Sequence, residues 1–241
     1  MNHPRIFPAL LVAVLVGLCS HSSETSLNSQ VKTVDNWIIP KVGTQYVYQF
    51  RPNDSAVPSF DTFTIIKTGQ HICGKTNVVV CAVAYRGRVD TAAYNIEPNG
   101  DFSLGIASEH AVDSMGHKLP TIIYIWKTFP IYSRKTVVAL PPRDSSDAAG
   151  NHLSTSDQCT FVGTETLTLP AGEFTTLHAR ETEIDVETSV TDSLSTYTDT
   201  AFVDICFAPT IGLYVKWIQT EVESGKTVHE SNIELIKYIP R

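Results

Sequence analysis

The sequence predicts an all-β fold, a large antiparallel curved sheet of about a dozen strands, shaped as a half-barrel or a two-sheet sandwich, with few or no helices. Segments alternating polar and apolar residues follow one another from Thr44 to Tyr238, as half-buried strands do. Turn sequences such as Pro98-Asn99-Gly100 and Ser224-Gly225-Lys226 separate them. No long apolar stripe at helical spacing interrupts the series.

Taken in order, residues 1–18 read as a signal peptide: Arg5 supplies a positive charge, and residues 6–18 form an apolar run too short for the roughly 20 residues that span a bilayer. The run ends at Val16-Gly17-Leu18-Cys19-Ser20, which resembles a bacterial lipoprotein signal. In that pattern a small residue precedes a lipid-modified cysteine; here Leu18 takes its position and Gly17 lies one place earlier. Cys19 is therefore the expected lipid attachment site, the alternative being an ordinary secretory signal cut nearby. Residues 19–36, rich in Ser, Thr and Asn, make a flexible linker behind the anchor, and 37–241 form a single β domain. Expected strands cover 44–51, 60–68, 76–85, 89–96, 101–107, 121–127, 135–140, 160–169, 174–186, 196–207, 212–223 and 226–238. The polar stretch 141–157, with Pro141-Pro142 and clusters of Ser and Asp, reads as a mobile loop or a seam between two halves of the domain.

Parity along the strands assigns faces. Val78 and Val80 oppose Val79 and Cys81, so the third strand is apolar on both sides and belongs in the middle of a sheet. Phe161, Leu167 and Leu169 share a face with Cys159, while Thr160, Val162, Thr164, Thr166 and Thr168 form the wet side. On the next strand His178 shares parity with Phe174, Ile184 and Val186 and reads as a core histidine. That leaves Glu181, Glu183, Asp185 and Glu187 as a solvated outer ridge.

A net charge of −7, with basic residues scattered, excludes recognition of nucleic acid through its phosphates. Beyond Cys19 the chain carries Cys73, Cys81, Cys159 and Cys206, an even number that suits two disulfides in an exported domain. Of the three possible connectivities, Cys73–Cys81 with Cys159–Cys206 is favoured, because the first pair flanks Asn77 symmetrically in a hairpin-like stretch. His71 beside Cys73 matches no common zinc spacing.

Several motifs are turn chemistry rather than reaction chemistry. Leu169-Pro170-Ala171-Gly172-Glu173-Phe174, the run Ala208-Pro209-Thr210-Ile211-Gly212-Leu213-Tyr214-Val215-Lys216 and the opening Pro40-Lys41-Val42-Gly43-Thr44-Gln45-Tyr46-Val47-Tyr48 together resemble the TapB-like envelope proteins of bacteria. The resemblance implies an exported, mainly antiparallel domain, a curved half-barrel like that of lipoprotein carriers, with no established catalytic activity. Gly172 and Gly212 would supply backbone freedom where strands begin.

The sequence holds neither a Gly-x-Ser-x-Gly elbow nor a His-Glu-x-x-His pair, and no catalytic, metal or cofactor site is assigned. Glu109, His110, Asp113 and His117 read as solvated turn residues. Tyr46 and Tyr48 share one strand face and Tyr124 and Trp126 another, so an uncovered concave sheet would present them to an apolar ligand. The expectation is a non-enzymatic lipoprotein, held at the membrane by its lipid in the cell envelope, that binds an apolar ligand or an envelope protein on a sheet face. A structural or assembly component of a surface complex is the alternative, and a periplasmic or secreted protein is the alternative location.

Overall fold

Each alternating stretch becomes a strand, and hairpin turns join most of them. The structure, a computed structural model, describes residues 37–52, 57–85, 87–108, 123–146, 152–188, 196–223 and 226–241, with side chains at all of these except 106–108, 123–125, 141–143, 145 and 197. The strands are β1 (Gln45–Arg51), β2 (Ser59–Ile72), β3 (Lys75–Tyr85), β4 (Arg88–Ile96), β5 (Phe102–Ser108), β6 (Ile123–Phe129), β7 (Val137–Ser146), β8 (His152–Leu169), β9 (Gly172–Thr188), β10 (Thr196–Ala208), β11 (Leu213–Glu223) and β12 (Lys226–Ile239). No helix occurs among the described residues.

Every pairing is antiparallel between strands consecutive in sequence, except that β1 also pairs β12. The resulting order, β6-β5-β4-β3-β2-β1-β12-β11-β10-β9-β8-β7, leaves β6 and β7 as the edges. These edges are joined by residues 130–136, and the sheet curls into a nearly closed barrel with its seam between them. Asp101 helps hold that connection, its buried carboxylate accepting the backbone N–H groups of Tyr132 and Ser133 at 2.8 Å each. The stretch 141–157 is mostly strand rather than loop: β7 runs through Pro141 and Pro142, and β8 begins at His152. Proline is tolerated there because β7 is an edge, where a missing N–H breaks no ladder on the open side.

Turn residues behave as their chemistry demands. Gly100 has φ +89° and donates its N–H to the Glu97 carbonyl, closing the Pro98-Asn99-Gly100 turn. Gly172 and Gly212 both have positive φ, at +133° and +76°, so the two glycine motifs do supply the freedom expected of them. The Ser224-Gly225 pair lies outside the described residues.

The interior is filled with aromatic rings. Phe102 on β5 lies 4.6 Å, centroid to centroid, from Phe207 on β10, so strands far apart in the sheet touch through its middle. Tyr94, Phe129 and Trp37 join this stack, while Tyr48, Phe63 and Tyr214 form a second one. Apolar groups point inward and polar groups such as Gln158, Thr160 and Arg180 stay exposed on β8 and β9. A membrane-spanning barrel has the reverse pattern, with an apolar outer belt and a polar lumen. β3 is apolar on both sides as expected, with Val79 and Cys81 in this core and Val78 and Val80 in a separate small cluster.

Candidate functional site

Two polar constellations stand out, one on each face of the sheet, and an irregularity in β8 shapes the outer one. β8 carries an extra residue at Val162, between the pairs Phe161–Ala179 and Gly163–His178. The ladder of β9 with β10 is unbroken from Thr188 to Leu177, so β9 keeps one alternation and the bulge changes the phase of β8 instead. Before it Cys159 and Phe161 share the inner face of Glu181 and Ala179; beyond it Gly163 and Glu165 share the outer face of His178 and Thr176. The acidic residues expected on a solvated ridge turn inward with the parity of Ala179, Glu181 to 1% exposure and Glu183 and Asp185 to partial burial.

Inside the barrel, Lys127 of β6 reaches across the seam to Glu181 of β9, to which it donates a hydrogen bond, and lies 3.0 Å from Asp157 of β8. All three are buried. Burial pushes the Glu181 carboxyl up to about 7 and the neighbouring Asp157 adds to this, while Lys127 pulls the other way. Burial would lower Lys127, but the two carboxylates outweigh it and keep the ammonium charged. The arrangement is an ionic clasp between the edge strand β6 and the β8–β9 hairpin. Glu183 completes an acidic group with Asp157 and Glu181, and the Lys127 ammonium already supplies the cation that these carboxylates need.

The second constellation lies on the opposite face of β10 from Val203, Ile205 and Phe207. A recess of about 190 Å³ is lined by Glu165, His178, Asp204, Cys206 and Lys216, with Leu167 and Ile218. His178 Nε2 is 2.7 Å from Asp204 Oδ1. Arg180 grips the same Asp204 with two N–H donors, Nε and Nη2, at 2.9 Å each. Burial alone would raise the Asp204 carboxyl, but these partners hold it below the usual aspartate value. Cys206 Sγ donates to Glu165 Oε1 at 3.3 Å, and burial followed by the Glu165 carboxylate pushes the thiol up to about 12. Lys216 is paired with Glu234 at 3.1 Å. Glu165, His178 and Cys206 could together hold a metal ion.

The residues expected to matter from sequence fall elsewhere. Tyr46 and Tyr48 are both 0% exposed, and their hydroxyls donate to the carbonyls of Ile211 and Tyr214 at 2.5 and 2.7 Å. They are core residues whose polar tips are satisfied, not the wall of an open groove. Trp126 packs with Val78, Val80, Ala93 and Ile72 in the small cluster apart from that core, so the expected aromatic faces do not form one surface. The Tyr124 side chain, Cys19, the leader and linker, and Glu109, His110, Asp113 and His117 lie outside what the structure describes.

The four remaining cysteines are free thiols, which corrects the expected disulfides. Cys73 sits in the Ile72–Lys75 turn of the β2–β3 hairpin with φ +45°, whereas Cys81 pairs Ile65 six residues further along. At about 3.3 Å per residue that is roughly 20 Å, far beyond a disulfide's reach of about 7 Å between Cα atoms. Cys159 and Cys206 lie on β8 and β10, separated by β9 and pairing Glu181 and His178 of it respectively. Two strand spacings, about 9.6 Å, already exceed the limit.

No protein-family model matches the chain. No curated protein sequence matches it either. Among solved structures it is similar to a candidate lipoprotein from Parabacteroides distasonis, with TM-score 0.51 and 15% identity over 83% of this chain and 96% of that one. It is also aligned with a candidate exported protein of YmcC-like fold from Bacteroides fragilis, at TM-score 0.45 and 15% identity over 84% and 98% of the two chains. A third is the hypothetical lipoprotein YmcC from Escherichia coli, at TM-score 0.34 and 15% identity over 92% and 100%. The likeness to the first is one of fold. The TapB-like resemblance finds no counterpart among them.

Sequence reasoning missed the His178 recess because its members come from β8, β9, β10 and β11, with no shared motif. The usable signal was the alternation on β10, where Asp204 and Cys206 oppose Val203, Ile205 and Phe207.

Proposed function

We propose that the chain is a non-enzymatic envelope lipoprotein, anchored through Cys19, whose β domain engages an envelope partner through its outer surface. The observation that carries this reading is the filled interior. Tyr46, Tyr48, Phe102 and Phe207 are at most 1% exposed, so they offer no surface to an acyl chain. Recognition is left to the outside of the sheet. Export and anchoring are supported by the apolar run that ends at Cys19 and by a shared fold with a protein described as a candidate lipoprotein.

The test is the intact mass of the protein isolated from host membranes beside a Cys19→Ala variant. A chain beginning at Cys19 with added acyl groups is expected, lost in the variant together with membrane association. An unmodified chain would overturn the anchor. Native mass spectrometry of the released variant is expected to show no lipid adduct, and a bound lipid carried by the domain would overturn the reading of a closed interior.

A further inference from the structure

We propose that Glu165, His178 and Cys206 form a binding site for a divalent transition-metal ion, zinc by the character of its donors, on the face of the sheet opposite the core. This goes beyond the envelope role and does not depend on it.

The geometry suits such an ion with little rearrangement. His178 Nδ1 lies 3.5 Å and Cys206 Sγ 3.3 Å from Glu165 Oε1, and the three atoms all fall within 4.8 Å of one another. A tetrahedral ion with bonds of about 2.0–2.3 Å holds its ligands roughly 3.3–3.8 Å apart. The framework is rigid, since His178 and Cys206 are direct cross-strand partners on β9 and β10. Glu165 comes alongside from β8, just beyond the bulge at Val162.

Around the donors lies the support that a metal-binding histidine needs. Asp204 takes the Nε2 proton of His178 as a hydrogen bond, which leaves the Nδ1 lone pair facing Glu165 and Cys206. Arg180, gripping Asp204 with two bonds, fixes the carboxylate that fixes the ring. With Nδ1 unprotonated, its lone pair aimed at a carboxylate oxygen 3.5 Å away is a repulsive contact, and a cation between the two turns it into an attractive one.

Charge points the same way. Three carboxylates, Glu165, Asp204 and Glu234, face two cations, Arg180 and Lys216, across this surface. Ionising Cys206 leaves a surplus of two negative charges, which a divalent ion balances. Binding exchanges the thiol proton of Cys206 for the metal, so the proton is released to solvent and affinity falls as pH drops. Glu165 is partly exposed and the recess opens beside it, so the fourth position is accessible to water or an exogenous ligand.

The experiment titrates the full chain in detergent, stripped with chelator, with Co²⁺ and then displaces it with Zn²⁺. One equivalent of Co²⁺ is expected to give a thiolate-to-metal charge-transfer band and the d–d intensity of a tetrahedral site. Cys206→Ser is expected to abolish the charge-transfer band, and Asp204→Asn, which leaves all three donors in place, to weaken binding about 10- to 100-fold. Cys73→Ser is expected to leave the spectrum intact, which separates this site from the exposed His71–Cys73 turn. In thermal melts Zn²⁺ is expected to raise the Tm of the parent and of Cys73→Ser but not that of a His178→Gln/Cys206→Ser double variant, whose metal-free melt reports its folding. Absence of the band, or a band and a Tm shift that survive in the double variant, would overturn the proposal.

Discussion

Removing Lys127 tests whether a buried ionic clasp holds the seam of the barrel. Lys127→Met keeps most of the side chain's length and apolar stem but leaves Asp157 and Glu181, at 2% and 1% exposure, without their cation. Breaking a buried pair by deleting one partner costs about 3–5 kcal/mol, because an uncompensated charge stays inside. With a urea dependence near 2 kcal/mol per molar, the unfolding midpoint should fall by about 2 M. The sign of the pH dependence follows. In the variant Glu181 loses the cation that pulls its pKa down, so its folded-state value stays above the unfolded one and its contribution is fully present below about pH 4 and is lost as pH rises. The parent shows a weaker form of this through Glu181, whose raised value makes the domain lose stability as pH climbs from about 4.5 toward 7. The assay is urea unfolding followed by the fluorescence of Trp37, Trp126 and Trp217 at pH 5 and pH 8. Much of the variant's deficit at pH 8 should disappear at pH 5. Adding Asp157→Asn and Glu181→Gln to Lys127→Met should restore much of the loss at pH 8. A Lys127→Met protein within about 1 kcal/mol of the parent at both pH values would refute the reasoning.

Two further predictions rest on backbone and thiol geometry. Gly212→Ala would place a Cβ 2.1 Å from the Ile38 carbonyl oxygen at a φ of +76°, and Ile38 is itself tied by its N–H to Pro209, so a loss of about 2–4 kcal/mol is expected in the same urea assay. In a thiol-reactivity assay on the native chain, Cys73 should react rapidly, while Cys81, Cys159 and Cys206, buried and with burial pushing their thiols up, should react only on unfolding. Failure of Cys73 to react, with its signal recovered only after reduction, would mean that it is oxidised in the mature protein.

The fold was legible because alternation is a local property. Twelve runs of period two became twelve strands, and β3 is apolar on both sides as its alternation implied. The prolines of β7 hid the second half of that strand, since Pro141-Pro142 signals a break anywhere but at an edge, and edge status is a property of the whole sheet. The polar sites were illegible for a sharper reason. The parity of β9 is unbroken from Phe174 to Val186, but Phe174, Ile184 and Val186 share the outer face of His178, and the inner face is that of Ala179 and Glu181. The bulge that brings Glu165 to the outer face lies on β8 and leaves no mark in β9. The acidic residues were therefore assigned to solvent and His178 to the core, when Glu181 belongs inside and His178 lines the outer recess.

The bulge explains how the β8 strand serves two faces of the sheet. In an unbroken register Glu165 would keep the inward parity of Asp157, Cys159 and Phe161. The extra residue at Val162 carries Gly163, Glu165 and Leu167 to the outer face instead, beside their partners His178, Thr176 and Phe174. On the inner side Asp157 and Glu181 make a long-range link to β6 at a seam where the sheet's hydrogen-bonded order ends. On the outer side a histidine backed by Asp204 and Arg180 is set beside a thiol and a carboxylate. Deleting Val162, the unpaired residue, should therefore leave both faces as they are: Gly163 then follows Phe161 directly, the ladder of β8 and β9 is continuous with its pairs unchanged, and Glu165 stays beside His178 while Glu181 still meets Lys127. A structure of that variant in which Glu165 lies on the inner face would show that the faces of β8 are not set by this count of residues.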